Sequence, residues 1–179
     1  MINGITGCIL AGGKSSRYGA DKSLLKIGAE TIIERLIRQI SGLFPETVVV
    51  TNNDRDYGFL GIPVYTDIYK NIGPLGGIHS ALVHSVNEKV FILSCDIPFM
   101  TADFIKYVIA FNSVRPVILP STNGIIQPLC GIYSKSCIPF IQTMIGVDNK
   151  ETGSGEPKQW RYSPLVLIEE MKAELIDVV

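Results

Sequence analysis

The sequence predicts a three-layer α/β domain with a mostly parallel central sheet. Three observations carry this. Short apolar, β-branched runs alternate with segments whose apolar residues recur at helical spacing. Glycines and polar residues sit at the ends of those runs. Apolar residues make up 46% of the chain and charged residues 18%, a balance that favours a buried sheet over a disordered chain. Parallel pairing follows from the alternation, because parallel neighbours need a crossover and a helix is the usual one.

The elements follow in order. Residues 5–11 form an apolar run that ends at Gly12-Gly13, a buried strand entering a loop. Residues 30–43 carry Ile32, Ile33, Leu36, Ile37, Ile40 and Leu43 on one helical face, with Gly42 and Pro45 marking its end. Residues 47–51 are β-branched throughout and read as the second strand; 62–66 form a third, which delivers Asp67 at its end. Gly73-Pro74 opens a helix to about residue 86, with proline suited to the first helical position. Residues 89–94 are another apolar strand, with Asp96 just beyond. Thr101 can cap a helix to about residue 111, with Asp103 in its first turn. Residues 116–120 and 125–133 read as two strands and 136–145 as a helix whose start Pro139 limits. The polar stretch 146–159 reads as a loop, and 166–179 as a closing helix. The length suits one domain over 1–179, of which 146–179 is the divergent C-terminal part.

Composition narrows the function. A net charge of −1 argues against a general nucleic-acid binder. Residues 1–6 lack a basic leader, and no apolar stretch reaches the roughly 20 residues of a spanning helix, so a soluble cytoplasmic protein with no membrane partner is expected. Cys8, Cys95, Cys130 and Cys137 form no Cys-x-x-Cys pair and read as buried thiols.

In open α/β sheets ligands bind beyond the carboxyl ends of the strands. Three polar signals fall there: the run from Leu10 to Lys22, Asp67, and Asp96. The run reads Leu10-Ala11-Gly12-Gly13-Lys14-Ser15-Ser16-Arg17-Tyr18-Gly19-Ala20-Asp21-Lys22. Glycines let backbone N–H groups approach a phosphate. Lys14, Arg17 and Lys22 add three cations against one acid, Asp21. Arginine can fork onto phosphate oxygens, whereas lysine acts as a point charge. The run is neither a Walker A loop nor a Gly-x-Gly-x-x-Gly turn. A carboxylate at a strand end beside a triphosphate is a natural Mg²⁺ ligand, which is the role expected of Asp96.

This run resembles the signature of the molybdenum cofactor guanylyltransferases, the MobA type, which usually has Met where Tyr18 stands. More broadly it is similar to nucleotidyltransferases built on a Rossmann-like sheet. Gly73-Pro74-Leu75-Gly76-Gly77, Cys95-Asp96-Ile97-Pro98-Phe99 and Gln127-Pro128-Leu129-Cys130-Gly131-Ile132-Tyr133 extend the resemblance. It implies attack of a molybdopterin phosphate on the α-phosphorus of GTP, with pyrophosphate leaving and Mg²⁺ as cofactor. Leu10, Ala11, Gly12, Gly13, Lys14, Lys22, Asp67 and Asp96 would bind nucleotide. Arg17, Lys22 and Asp96 would act in catalysis, with Asp96 on the metal. Thr51, Asn52 and Asn53 are weaker nucleotide contacts, and molybdoenzyme maturation proteins are further partners. His79, His84, Trp160 and Tyr162 read as packing or surface residues. One departure stands out. Relatives close with a segment like Asn-x-Asn-Thr-Pro before the last helix, and here Ser163-Pro164-Leu165-Val166 occupies that place. Two alternatives follow: a nucleotidyltransferase using CTP or another NTP with a small phosphorylated acceptor, or a non-catalytic nucleotide- or cofactor-binding paralogue.

Overall fold

The structure, a computed structural model, describes residues 2–12, 21–52, 57–111, 113–146 and 162–178. Its sheet contains β1 (Ile5–Leu10), β4 (Glu46–Thr51), β5 (Val64–Thr66), β6 (Lys89–Ser94), β7 (Val117–Thr122), β8 (Ile125–Ile126), β9 (Cys130–Ser134) and β10 (Glu174–Asp177). The path across it is β10-β7-β9-β6-β1-β4-β5, with β8 paired to β7. Along that path all strands run one way except β9, which is antiparallel to β6 and β7. A separate hairpin joins β2 (Lys26–Ile27) to β3 (Glu30–Thr31).

Period-2 alternation assigns each strand to both faces. In β1, Ile5 and Ile9 point into one core and Cys8 and Leu10 into the other. The first core is covered by α1 (Ile32–Ile40) and α3 (Ala102–Ala110) through Ile33, Leu36, Ile40, Ile105 and Val108. The second is covered by α2 (Pro74–His84), α4 (Ile138–Ile145) and α5 (Pro164–Glu170) through Leu75, Ile78, Leu82, Ile141 and Leu167. The three-layer α/β fold expected from the pattern is the one observed. Gly7 lets the first core close: a β-carbon there would lie 2.5 Å from the Phe44 ring, which stacks on Phe91.

Local chemistry sets the ends. Thr31 caps α1 in a capping box, accepting from the Glu34 N–H while Glu34 accepts from the Thr31 N–H. The helix therefore starts at Ile32 rather than at residue 30, because Glu30 and Thr31 belong to the hairpin. Thr101 caps α3 as expected. Three segments differ from the sequence reading. Residues 125–133 are not one strand: the chain breaks at Gln127–Leu129, where Pro128 cannot donate to a ladder, and splits into β8 and β9. Residues 136–145 are a 3₁₀ turn, Lys135–Cys137, followed by α4 with Pro139 in its first turn. The closing helix 166–179 is instead α5 followed by β10. Lys172 takes a left-handed φ of 48°, ending the helix so that Glu174–Asp177 can pair with β7. Ser163 caps α5 by accepting from the Leu165 N–H, and Pro164 opens it. No helix among the described residues is long and apolar enough to cross a membrane.

Candidate active site

The carboxyl ends of β5, β4, β1 and β6 lie side by side, so the residues that follow them share one edge. β1 runs into Ala11 and Gly12. The Ala11 N–H donates to the Val50 carbonyl at 2.8 Å, and the Thr51 hydroxyl donates to the Ala11 carbonyl at 3.0 Å. These bonds fix the start of the Gly-rich run against the end of β4. A β-carbon on Gly12 would stand 3.4 Å from the Asn52 nitrogen, so the two strand ends approach closely. Gly13, Lys14, Arg17 and Asn53 lie outside the described residues.

The run returns at Asp21 and enters a 3₁₀ turn, Lys22–Leu24, which the sequence reading did not anticipate. From it Lys22 reaches across the edge to Asp96, beyond β6, with Nζ 3.4 Å from Oδ1. The side chains are 49% and 66% exposed, so each charge is accessible to another partner. Asp96 sits on a short turn: its N–H donates to the Ser94 hydroxyl, and the Cys95 N–H to the Leu10 carbonyl. Arg35 of α1 holds that turn from outside. Its Nε donates to the Pro98 carbonyl at 3.1 Å, and its guanidinium lies 5.5 Å from the Phe99 ring centre. Glu30 bridges Arg35 and Arg38 and fixes the clamp. The sequence reading missed Arg35, because an arginine between apolar helical positions carries no signal of what it faces.

Asp21 does not add its charge to the open edge. Its carboxylate accepts from the Ser23 N–H at 3.0 Å, from the Ser23 hydroxyl at 2.8 Å and from the Tyr57 phenol. Tyr57, buried in the first core, is a second residue the sequence reading missed.

At the other side of the edge Asp67 is 6% exposed and accepts from the Asn52 amide. Burial pushes its carboxyl above the usual range, and the Asn52 bond opposes that. The turn into α2 is packed onto this carboxylate. A β-carbon on Gly76 would stand 2.8 Å from the Tyr69 carbonyl oxygen and 3.2 Å from Asp67 Oδ2, and one on Gly77 would stand 3.3 Å from Leu10. Only glycine fits at residue 76, which explains the Gly-rich turn. His79, expected to be a packing residue, is buried against Tyr69 with both ring nitrogens unbonded among the described residues. Burial, with His84 nearby, holds its imidazole below the ordinary range.

Beyond β6 the same edge continues into a pocket of about 430 Å³ lined by Ile97, Met100, Phe104, Pro120, Thr122, Gln127, Cys130 and Val178. It is mostly apolar, with one amide and one hydroxyl. Gln127 hangs from the break between β8 and β9, its N–H bonded to the Pro120 carbonyl. The four cysteines are buried free thiols. Burial pushes Cys95 and Cys130 up to about 12 and Cys137 up to about 11, so these thiols are protonated and poor nucleophiles at neutral pH. No group of three His, Cys, Asp or Glu side chains gathers among the described residues.

The MobA-like NTP transferase domain matches residues 7–158. A Carboxydothermus hydrogenoformans protein called a "probable molybdenum cofactor guanylyltransferase" is 40% identical over 141 residues, 79% of this chain and 71% of that protein. A crystal structure of an Aquifex aeolicus protein superposes with a TM-score of 0.77 at 28% identity, covering 97% of this chain and 86% of the other. The molybdopterin-guanine dinucleotide biosynthesis protein A of Archaeoglobus fulgidus superposes with a TM-score of 0.75 at 20% identity over 97% of this chain and 83% of its own, a likeness of fold.

Proposed function

We propose that this chain, which belongs to the MobA-like NTP transferase family and is a nucleotidyltransferase, moves GMP from GTP to molybdopterin and releases pyrophosphate. One observation carries the reading: the edge holds three stations in a row. The buried Asp67 lies near β5, the exposed Lys22–Asp96 pair spans the ends of β1 and β6, and the apolar pocket lies over β9 and β7.

Each station suits one part of the reaction. A carboxylate is an acceptor only, and guanine offers two adjacent donors, N1–H and the 2-amino group, on one edge. Adenine and cytosine do not present that pair, so an ionised Asp67 in contact with the base would favour guanine. Lys22, with Gly12 and the cations Lys14 and Arg17 that the resemblance assigns, binds the triphosphate. The family implies a divalent metal, and the donor set fits Mg²⁺: one exposed carboxylate, with phosphate oxygens and water completing the shell. Asp96 would hold it. Mg²⁺ would offset charge on the phosphates as the α-phosphorus is attacked. The pocket at Gln127 would receive a flat heterocycle with a few hydrogen-bonding atoms, and its lining residue Ile97 directly follows Asp96 in the chain, so an acceptor held there would lie on the Asp96 side of the edge. The acceptor oxygen forms the new bond to phosphorus while the bond to the pyrophosphate oxygen breaks. Positioning and charge neutralisation supply the rate.

The test is single-turnover transfer of label from α-labelled GTP to molybdopterin, with CTP and ATP in parallel. Labelled dinucleotide from GTP is expected. Transfer from CTP alone, or binding with no transfer to any acceptor, would overturn the reading.

A further inference from the structure

An acid next to a phosphate-binding lysine needs explaining. Asp21 immediately precedes Lys22, and an open carboxylate there would repel the ligand that Lys22 is proposed to bind. The structure turns it inward. Three donors converge on the Asp21 carboxylate: the Ser23 N–H, the Ser23 hydroxyl and the Tyr57 phenol. Ser23 is 1% and Tyr57 2% exposed, and their oxygens lie 3.0 Å apart, so both donors are held in the interior beside the Asp21 carboxylate. Such a network spreads the carboxylate charge over fixed donors.

The members come from two places in the chain. Asp21 and Ser23 flank Lys22 at the end of the Gly-rich run, whereas Tyr57 lies beyond β4, past the polar stretch that begins at Asn52. Asn52 in turn donates to Asp67. The network therefore ties the turn carrying Lys22 to Tyr57, which lies beyond β4 in the chain. From this we infer that Tyr57 is a positioning residue: its phenol, through Asp21, fixes the 3₁₀ turn from which Lys22 addresses the triphosphate. The inference rests on the reading of Lys22 given above.

Tyr57→Phe removes the phenol oxygen and keeps the ring in the core beside Phe59. Affinities for GTP and for GMP are measured by calorimetry on the wild type, Tyr57→Phe, Lys22→Ala and the double variant, with thermal midpoints for each. Ser23→Ala breaks the same network from its other side and serves if Tyr57→Phe does not fold. The expected result is a loss of about tenfold or more in GTP affinity for Tyr57→Phe, the scale of one bond to a charged group. GMP affinity should change less than about twofold on that scale, and Tyr57→Phe should add nothing once Lys22 is alanine, because coupled groups are not additive. Equal losses for GTP and GMP, or a fully additive double variant, would reduce Tyr57 to a packing role and overturn the inference. Unchanged GTP affinity in Tyr57→Phe, with Lys22→Ala weakened, would do the same while leaving the Lys22 reading intact. Unchanged affinity in Lys22→Ala would remove that reading and the inference together.

Discussion

Two carboxylates at the site have opposite surroundings, and their variants should fail differently. Asp96 is open and paired to Lys22; Asp67 is buried and bonded to Asn52. Asp96→Asn keeps shape and loses the charge that holds a hard cation, so pyrophosphate release should lose most of its Mg²⁺ dependence. A wild-type Mg²⁺ titration in that variant would take Asp96 off the metal. Asp67→Asn should instead erode base choice, lowering the GTP-over-ATP affinity ratio by about tenfold, or about 1.4 kcal/mol, as expected when a site's hydrogen-bonding group is mismatched. An unchanged ratio would place guanine elsewhere. His79 adds a pH effect. Its folded value is depressed by burial, so it binds a proton less readily folded than unfolded. The stability this neutral imidazole carries is present above its ordinary value of 6.5 and drains away as pH falls below it toward the folded value. His79→Leu should flatten the fall in thermal midpoint between pH 7.5 and 5.5; an equal fall would assign the effect to other groups. The placement of Lys22, Asp67 and Asp96 along one sheet edge was legible in the sequence, because polar residues just beyond apolar strands fall at that edge; Gly13, Lys14 and Arg17 lie outside the described residues. Tyr57 and Arg35 were not legible. Each acts through a partner far along the chain, Asp21 or Pro98, and one sequence does not reveal such pairings.

At the scale of elements, apolar β-branched runs located β1, β4, β5, β6 and β7, helical spacing located α1, and the starts at Gly73-Pro74 and Thr101 located α2 and α3. These signals failed where tertiary pairing overrode the local pattern. Residues 174–177 alternate weakly and follow a helix, yet β7 offers an open edge, and a left-handed Lys172 lets the chain turn to it. The split of 125–133 has a local cause instead: Pro128 interrupts the ladder and Gly124 makes the β7–β8 turn at φ 76°. Gly131 in β9 is a point where the fold can be tested. A β-carbon there would stand 2.5 Å from the Ile118 carbonyl oxygen and 2.6 Å from Leu119. The first contact is backbone and cannot rotate away. Gly131→Ala should therefore destabilise by about 1–3 kcal/mol, the usual scale of overpacking. Urea denaturation would read this as a lower midpoint at unchanged slope. A midpoint equal to wild type would mean that β7 and β9 part more easily than their packing suggests.

For the whole molecule, ligand binding should register as stability. A nucleotide at about 100 times its Kd adds roughly 2.7 kcal/mol. For a chain of this size that is a rise of roughly 5–11 °C in thermal midpoint, at about 2–4 °C per kcal/mol. GTP with Mg²⁺ should give the largest shift among the four NTPs, and an equal shift from all four would remove base selectivity from the site. β9 has a consequence at this scale. It is the reversed strand in the sheet path, and it stands between β6 and β7. The strands on the proposed nucleotide side, β5-β4-β1-β6, share one direction, so the residues that follow them lie on one edge. Those on its far side, β7 and β10, close the pocket with Pro120, Thr122 and Val178. Inheritance can therefore treat the two sides separately. On the proposed reading, changes in Thr122, Gln127 or the segment around β10 would alter what is received without disturbing how the nucleotide is gripped. A lineage under selection for a new acceptor can explore there while its donor chemistry stays in use, and directed evolution of this scaffold would do well to randomise that side first.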